Sequence, residues 1–141
     1  MGQTHQSTTI AVPPAEVWDA IRNFHDMSWS PNVITSLEVV GDLGGNEKGA
    51  GRILNGAFHE TLLEVNDAVR RIRYSIDDGP SPLSKDDVSN YVGELMVSPE
   101  ADGALVEWSS SWQHNDEATA EFCHGMYLAL LADLKASLES T

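Results

Sequence analysis

Apolar and polar residues alternate in short runs through most of this chain, then give way to a period of three to four residues near its end. The alternation predicts a first strand over Thr4–Val12, with Thr8, Ile10 and Val12 in one phase. Pro13-Pro14 stops it and opens a helix, with Glu16 in the first turn and Val17, Trp18, Ile21 and Phe24 on one face. A second short helical turn is expected over His25–Trp29, ending at Ser30-Pro31. Six further strands are then predicted, over Ile34–Gly41, Arg52–Asn55, Phe58–Val65, Val69–Asp77, Val88–Ser98 and Ala104–His114. Asn55-Gly56 is a hairpin turn signal. Five glycines between Gly41 and Gly51, and the Gly79, Pro80 and Pro82 of the Asp78–Asp86 stretch, mark loops.

From Asn115 or Asp116, either of which suits a helix cap, the period changes. Phe122, Cys123, Met126, Tyr127, Leu130, Leu131, Leu134 and Leu138 repeat at helical spacing to about Glu139, with no proline. Consecutive strands joined by short turns imply a meandering antiparallel sheet. The long amphipathic helix must bury its stripe on one face of that sheet. The pattern therefore predicts an α+β protein: a curved seven-stranded antiparallel sheet wrapped around a long C-terminal helix, with two short helices after the first strand.

Composition narrows the function. The chain has 141 residues, one domain's worth, and residues 1–141 are read as a single domain. Its 22 acidic and 8 basic side chains leave a formal charge of −14. No basic face exists to neutralise phosphates, so nucleic acid and anionic membrane surfaces are poor partners. The single Cys123 forms no internal disulfide, and no apolar run approaches a membrane span. A cytoplasmic protein is expected, as monomer or homodimer.

Motifs of common enzyme classes are absent. His5, His25, His59, His114 and His124 show no metal-ligand spacing, and neither a nucleophile elbow nor a dinucleotide or phosphate loop occurs. No metal and no cofactor is therefore expected. His59 lies in the opposite strand phase to Glu60, so both cannot enter one cavity.

Local sequences point further. Val12-Pro13-Pro14-Ala15-Glu16-Val17-Trp18 is followed by Phe24 and Trp29-Ser30-Pro31, then by Gly51-Arg52, Gly56 and Glu60-Thr61-Leu62. Tyr74, Pro82, Tyr91, Asp102-Gly103, Val106-Glu107-Trp108 and Tyr127…Leu131…Leu134-Lys135 follow in order. Together these resemble the START-like (SRPBCC) helix-grip superfamily, especially its polyketide cyclase/dehydrase-like branch, over essentially the whole chain. The resemblance implies an elongated cavity between sheet and helix that holds a small hydrophobic molecule. It also implies a gate loop at Leu54–Ala57 and a latch containing Pro82-Leu83.

The candidate ligand contacts are Trp29, Phe58, Glu60, Leu62, Tyr74, Ile76, Pro82, Tyr91, Leu95, Trp108, Trp112, Cys123, Met126 and Tyr127. Glu60 is the acid with a case for facing inward. A carboxyl in an apolar cavity has a raised pKa and suits hydrogen bonding or acid/base work. Pairing with Arg52 on the adjacent strand, or plain exposure, stays open for it. For Tyr74, Tyr91, Tyr127, Trp108 and Trp112, ligand contact and core packing are both open. Hormone-binding relatives hold a ligand carboxylate with a Lys where this chain has Ile34-Thr35-Ser36, so a neutral, mostly apolar ligand is expected. The alternative is a cyclase or dehydratase with Glu60 as the catalytic acid/base.

Overall fold

The computed structural model describes residues 2–114 and 116–140. The expected cap at Asn115 lies outside these residues, as does the side chain of Asp116. The order is β1 (Gly2–Ile10), α1 (Pro14–Ile21), β2 (Leu37–Val40), β3 (Gly51–Leu54), β4 (Phe58–Asn66), β5 (Arg71–Asp78), β6 (Ser89–Glu100), β7 (Gly103–Gln113) and α2 (Asp116–Glu139). The seven strands form one sheet in the order β1-β7-β6-β5-β4-β3-β2, with every neighbouring pair antiparallel. Alternation is strict on the central strands: β7 buries Ala104, Val106, Trp108, Ser110 and Trp112, one residue in two.

Two register shifts in the β4–β5 pairing, at His59/Glu60 and Leu62/Glu64, bend the sheet where it must curve around α2. α2 runs 24 residues, about 36 Å at 1.5 Å per residue, and packs along β1 and β7. Its buried stripe is Thr119, Cys123, Tyr127, Leu130, Leu131 and Leu134. Asn55 (φ 56°) and Gly56 (φ 66°) both adopt left-handed backbone at the centre of a turn closed by the Ala57 amide on the Leu54 carbonyl, within the three-residue connection between β3 and β4.

The structure corrects the sequence reading in three places. Residues 25–29 form turns, not a second helix. Asn23 Oδ1 accepts from the His25 amide and Asp26 Oδ1 from the Ser28 amide, so short polar side chains take the amides a helix would have used. β2 starts at Leu37 rather than Ile34. The Asn55 side chain accepts from the amides of Thr35 and Ser36 and donates to the Val33 carbonyl, which takes these groups out of the ladder.

The third correction concerns charge. Glu60 is not alone in facing inward: Asp133 on α2 is 8% exposed. Its Oδ2 accepts from Ser30 Oγ and the Asn32 amide, and its Oδ1 from Asn32 Nδ2, all at 2.9 Å. Burial by itself raises this carboxyl's pKa, but the bonds from Asn32 and Ser30 outweigh it and hold the group below its ordinary value. Ser137 Oγ donates to the Trp29 carbonyl one turn further on. These bonds pin residues 29–32 onto α2 and so place Val33 and Ile34 beside the cavity described below. Asp133→Ala is expected to lower stability by about 1–3 kcal/mol in urea denaturation, since three donors lose their acceptor. Because the native pKa is depressed, the stabilisation from Asp133 is present above the ordinary carboxylate value and is lost as pH falls through the native one.

Candidate functional site

The site grows from the pairing of β3 with β4. Arg52 lies directly opposite Glu60 in that register, and both side chains point to the concave face. Arg52 Nε and Nη2 donate to the same oxygen, Glu60 Oε1, at 2.8 and 2.6 Å. Arg52 Nη1 donates to the Phe24 carbonyl at 2.9 Å, and the guanidinium sits 3.7 Å from the centroid of the Phe24 ring. Arg52 and Glu60 are 6% and 7% exposed, so this is a buried ion pair. Of the possibilities open for Glu60, the ion pair and the inward position hold together.

The pair is asymmetric. Oε1 takes both bonds from Arg52, while Oε2 has no hydrogen-bond partner among the described residues. Burial raises the Glu60 pKa, and the neighbouring Arg52 charge and hydrogen bonds work against that rise.

Next to the pair stands a cluster of phenols. Tyr74 on β5 packs over Gly93 of β6, which faces it in the ladder. The Tyr74 hydroxyl receives Trp108 Nε1–H at 3.0 Å and contacts the Tyr127 hydroxyl at 2.8 Å. Tyr127 is also hydrogen-bonded to Tyr91, whose hydroxyl donates to Cys123 Sγ at 3.3 Å. Trp108 stacks on Tyr127 at 4.7 Å and Tyr91 on Trp112 at 5.6 Å between centroids. Burial raises the pKa of all three phenols and pushes the Cys123 thiol up to about 11, so these four groups are neutral at physiological pH.

These groups bound a cavity of about 180 Å³ between the sheet and α2. Its polar lining is Arg52, Glu60, Tyr74, Tyr127 and Asn55; its walls include Leu54, Phe58, Trp108, Met126 and Leu130. Phe122, 37% exposed, and the exposed Asn55 stand on its rim with Val33 and Ile34. A second void of about 20 Å³, near the size of one water, adjoins it and shares Met27, Arg52, Tyr74 and Trp108.

Of the residues singled out from sequence, the cavity brings together Phe58, Glu60, Tyr74, Trp108, Met126 and Tyr127. Trp29 and Leu95 border the smaller void instead. Tyr91 and Cys123 stand behind Tyr127, and Trp112 stacks on Tyr91. Leu62 and Ile76 belong to the packed core. Pro82 is half-buried away from the cavity, its carbonyl accepting from Thr119 Oγ1 on α2. Sequence reasoning missed Leu130 and Phe122 as lining residues. Their i, i+4 spacing around Met126 was the available signal, because it sets 122, 126 and 130 on one edge of the helical stripe. His59 is exposed, and no metal-binding cluster of His, Cys, Asp and Glu occurs among the described residues.

Residues 1–139 match the family described as polyketide cyclase/dehydrase and lipid transport. Among solved structures, a protein from Nitrosospira multiformis is 44% identical with a TM-score of 0.93, covering 95% of this chain and 94% of its own. XoxI from Bacillus cereus is 30% identical with a TM-score of 0.81, covering 97% and 95%. The fold also extends to ginseng major latex-like protein 151 from Panax ginseng, at 15% identity, a TM-score of 0.77 and coverage of 96% and 95%. No curated protein matches the sequence. No described helix is long and apolar enough to cross a membrane.

Proposed function

The chain belongs to the polyketide cyclase/dehydrase and lipid transport family, within the START-like helix-grip superfamily, and from that premise we propose that it binds a small, mostly apolar, neutral molecule between its sheet and α2. The observation that carries this reading is a cavity with aromatic and aliphatic walls in which a buried carboxylate keeps one oxygen free of protein partners. The Arg52 charge is already neutralised by Glu60, so a second anion has no counter-charge waiting for it.

The size limits the occupant. Drug-sized ligands occupy roughly 300–1,000 Å³, whereas an engineered apolar cavity of ~150 Å³ holds benzene. At about 180 Å³ the chamber suits a single ring or a short branched chain. Titration with benzene-sized aromatics, followed by amide NMR shifts, is expected to saturate at residues of the cavity. Leu130→Trp, which fills the chamber from α2, is expected to remain folded and to bind at least about tenfold more weakly. Equal binding by both proteins would place the ligand elsewhere.

A catalytic reading has one observation in its favour. The pKa of Glu60 is raised and its Oε2 is free, as a general acid/base requires. As a cyclase or dehydratase the protein loses turnover but keeps binding in Glu60→Gln; as a carrier it has no turnover to lose.

A further inference from the structure

We propose that a directed chain of buried hydrogen bonds makes this cavity select a ligand that carries a hydroxyl group, and that Cys123 is the positioning residue that sets the chain's direction. The inference rests on the cavity being the ligand site.

Counting hydrogens gives the direction. An indole N–H only donates, so Tyr74 oxygen accepts from Trp108. A phenol has one hydrogen, and that of Tyr91 goes to Cys123 Sγ. In the contact between Tyr91 and Tyr127, the hydrogen must therefore come from Tyr127. That leaves Tyr74 as the donor in its 2.8 Å contact with Tyr127. The chain runs Trp108 to Tyr74 to Tyr127 to Tyr91 to Cys123, and every hydroxyl hydrogen in it is used.

What remains for a ligand is lone pairs. Tyr74 and Tyr127 line the cavity and each keeps one acceptor position, and Glu60 Oε2 adds a third. The donors left are on Arg52, which has five N–H groups and three of them engaged. A hydroxyl serves both sides, donating to Glu60 Oε2 or a phenol oxygen while accepting from Arg52. An ether or ketone of the same shape leaves those acceptors facing an acceptor, and a hydrocarbon leaves them facing nothing. Sites built around a ligand hydroxyl discriminate strongly against analogues lacking it.

The sulfur end decides the polarity. Ser110 also bonds the Tyr91 hydroxyl, as a donor to its oxygen, so without an acceptor at position 123 the Tyr91 hydrogen turns to Tyr127 and that of Tyr127 to Tyr74. The Tyr74 hydrogen then faces the cavity, which becomes a donor.

The test uses the full chain at pH 8 and three probes that share a p-tolyl group: p-cresol, 4-methylanisole and toluene, titrated by NMR. The wild type is expected to bind p-cresol about tenfold or more tightly than the other two. In Cys123→Ala that preference over 4-methylanisole is expected to fall to about threefold or less, and Cys123→Ser, which restores an acceptor, is expected to recover it. Equal affinity for all three probes in the wild type overturns the inference while leaving the cavity reading intact. A preference unchanged in Cys123→Ala also overturns it. Saturation by none of the three overturns the cavity reading and this inference with it.

Discussion

Arg52→Met is expected to destabilise the fold by about 3–5 kcal/mol, while the double change Arg52→Met with Glu60→Leu is expected to recover most of that loss. The single change strips the charge partner from a carboxyl that is 7% exposed and leaves its Oε1 without both donors. It also removes the guanidinium from the Phe24 ring and orphans the Phe24 carbonyl. The double change removes both charges and fills the space with apolar side chains, an exchange that is often neutral for a buried pair. Urea denaturation of the four proteins of this cycle measures the coupling, and strict additivity would show that the pair does not act as a unit. The pH dependence carries its own sign. Burial raises the Glu60 pKa above its ordinary value of 4.5, with Arg52 offsetting part of the rise. The native carboxyl thus holds its proton more tightly than the unfolded chain does. Its contribution to stability is complete below that ordinary value and declines as pH rises through the native one. The stability of the wild type relative to Glu60→Gln is therefore expected to fall as pH increases above about 4.5. In the proposed binding role the pair serves the cavity, so the double variant is expected to fold without binding p-cresol.

The fold was legible because its rules are local and repeated. Period-two alternation marked β7 as a strand, with Trp108 and Trp112 among the inward candidates, and the 3.6-residue stripe placed Cys123, Tyr127, Leu131 and Leu134 on the buried face of α2. The segments that were misread are ones where side chains bond to backbone at a distance in sequence or across a turn. Asn55 reaches back about twenty residues to trim β2, and Asn23 and Asp26 unmake a helix by capping their own neighbours. No periodicity encodes such bonds. The site was half legible for a related reason. Strand phase says that Tyr91, Leu95 and Trp112 face inward, and they do. It does not say how deep. Bulky neighbours stack in front of them, so Tyr127 stands between Tyr91 and the cavity and Tyr91 packs against Trp112. Depth is set by the volumes of side chains from β5, β7 and α2 meeting in the middle, a many-body quantity absent from any single stretch. Asp133 was unreadable in the same way. An acid in an apolar stripe looks like a misfit until Ser30 and Asn32 arrive from a hundred residues away to bond it.

One glycine joins packing to the site. Gly93 faces Tyr74 across the β5–β6 ladder, and its backbone is ordinary strand, so an alanine there meets no conformational obstacle. A β-carbon at 93 would nevertheless overlap Cζ, Cε1 and the hydroxyl of Tyr74. The ring has nowhere to retreat without cost. Its hydroxyl is held by Trp108 and Tyr127, and its face packs toward Phe24. The open volume beside it is the cavity. Gly93→Ala is therefore expected to push Tyr74 into the chamber, breaking its bonds to Trp108 and Tyr127 and reducing the space for a ligand. The expected loss is about 1–3 kcal/mol of stability, the usual cost of overpacking a core. Binding of p-cresol is expected to fall by more than about tenfold. Adding Tyr74→Val to Gly93→Ala gives the new methyl group room. Stability is then expected to return above that of Gly93→Ala alone, while the preference for p-cresol over toluene stays lost because the chain has no Tyr74 to carry it. A Gly93→Ala protein with unchanged binding and unchanged stability would mean that Tyr74 does not sit over this glycine, and the arrangement of the phenol cluster would fail with it.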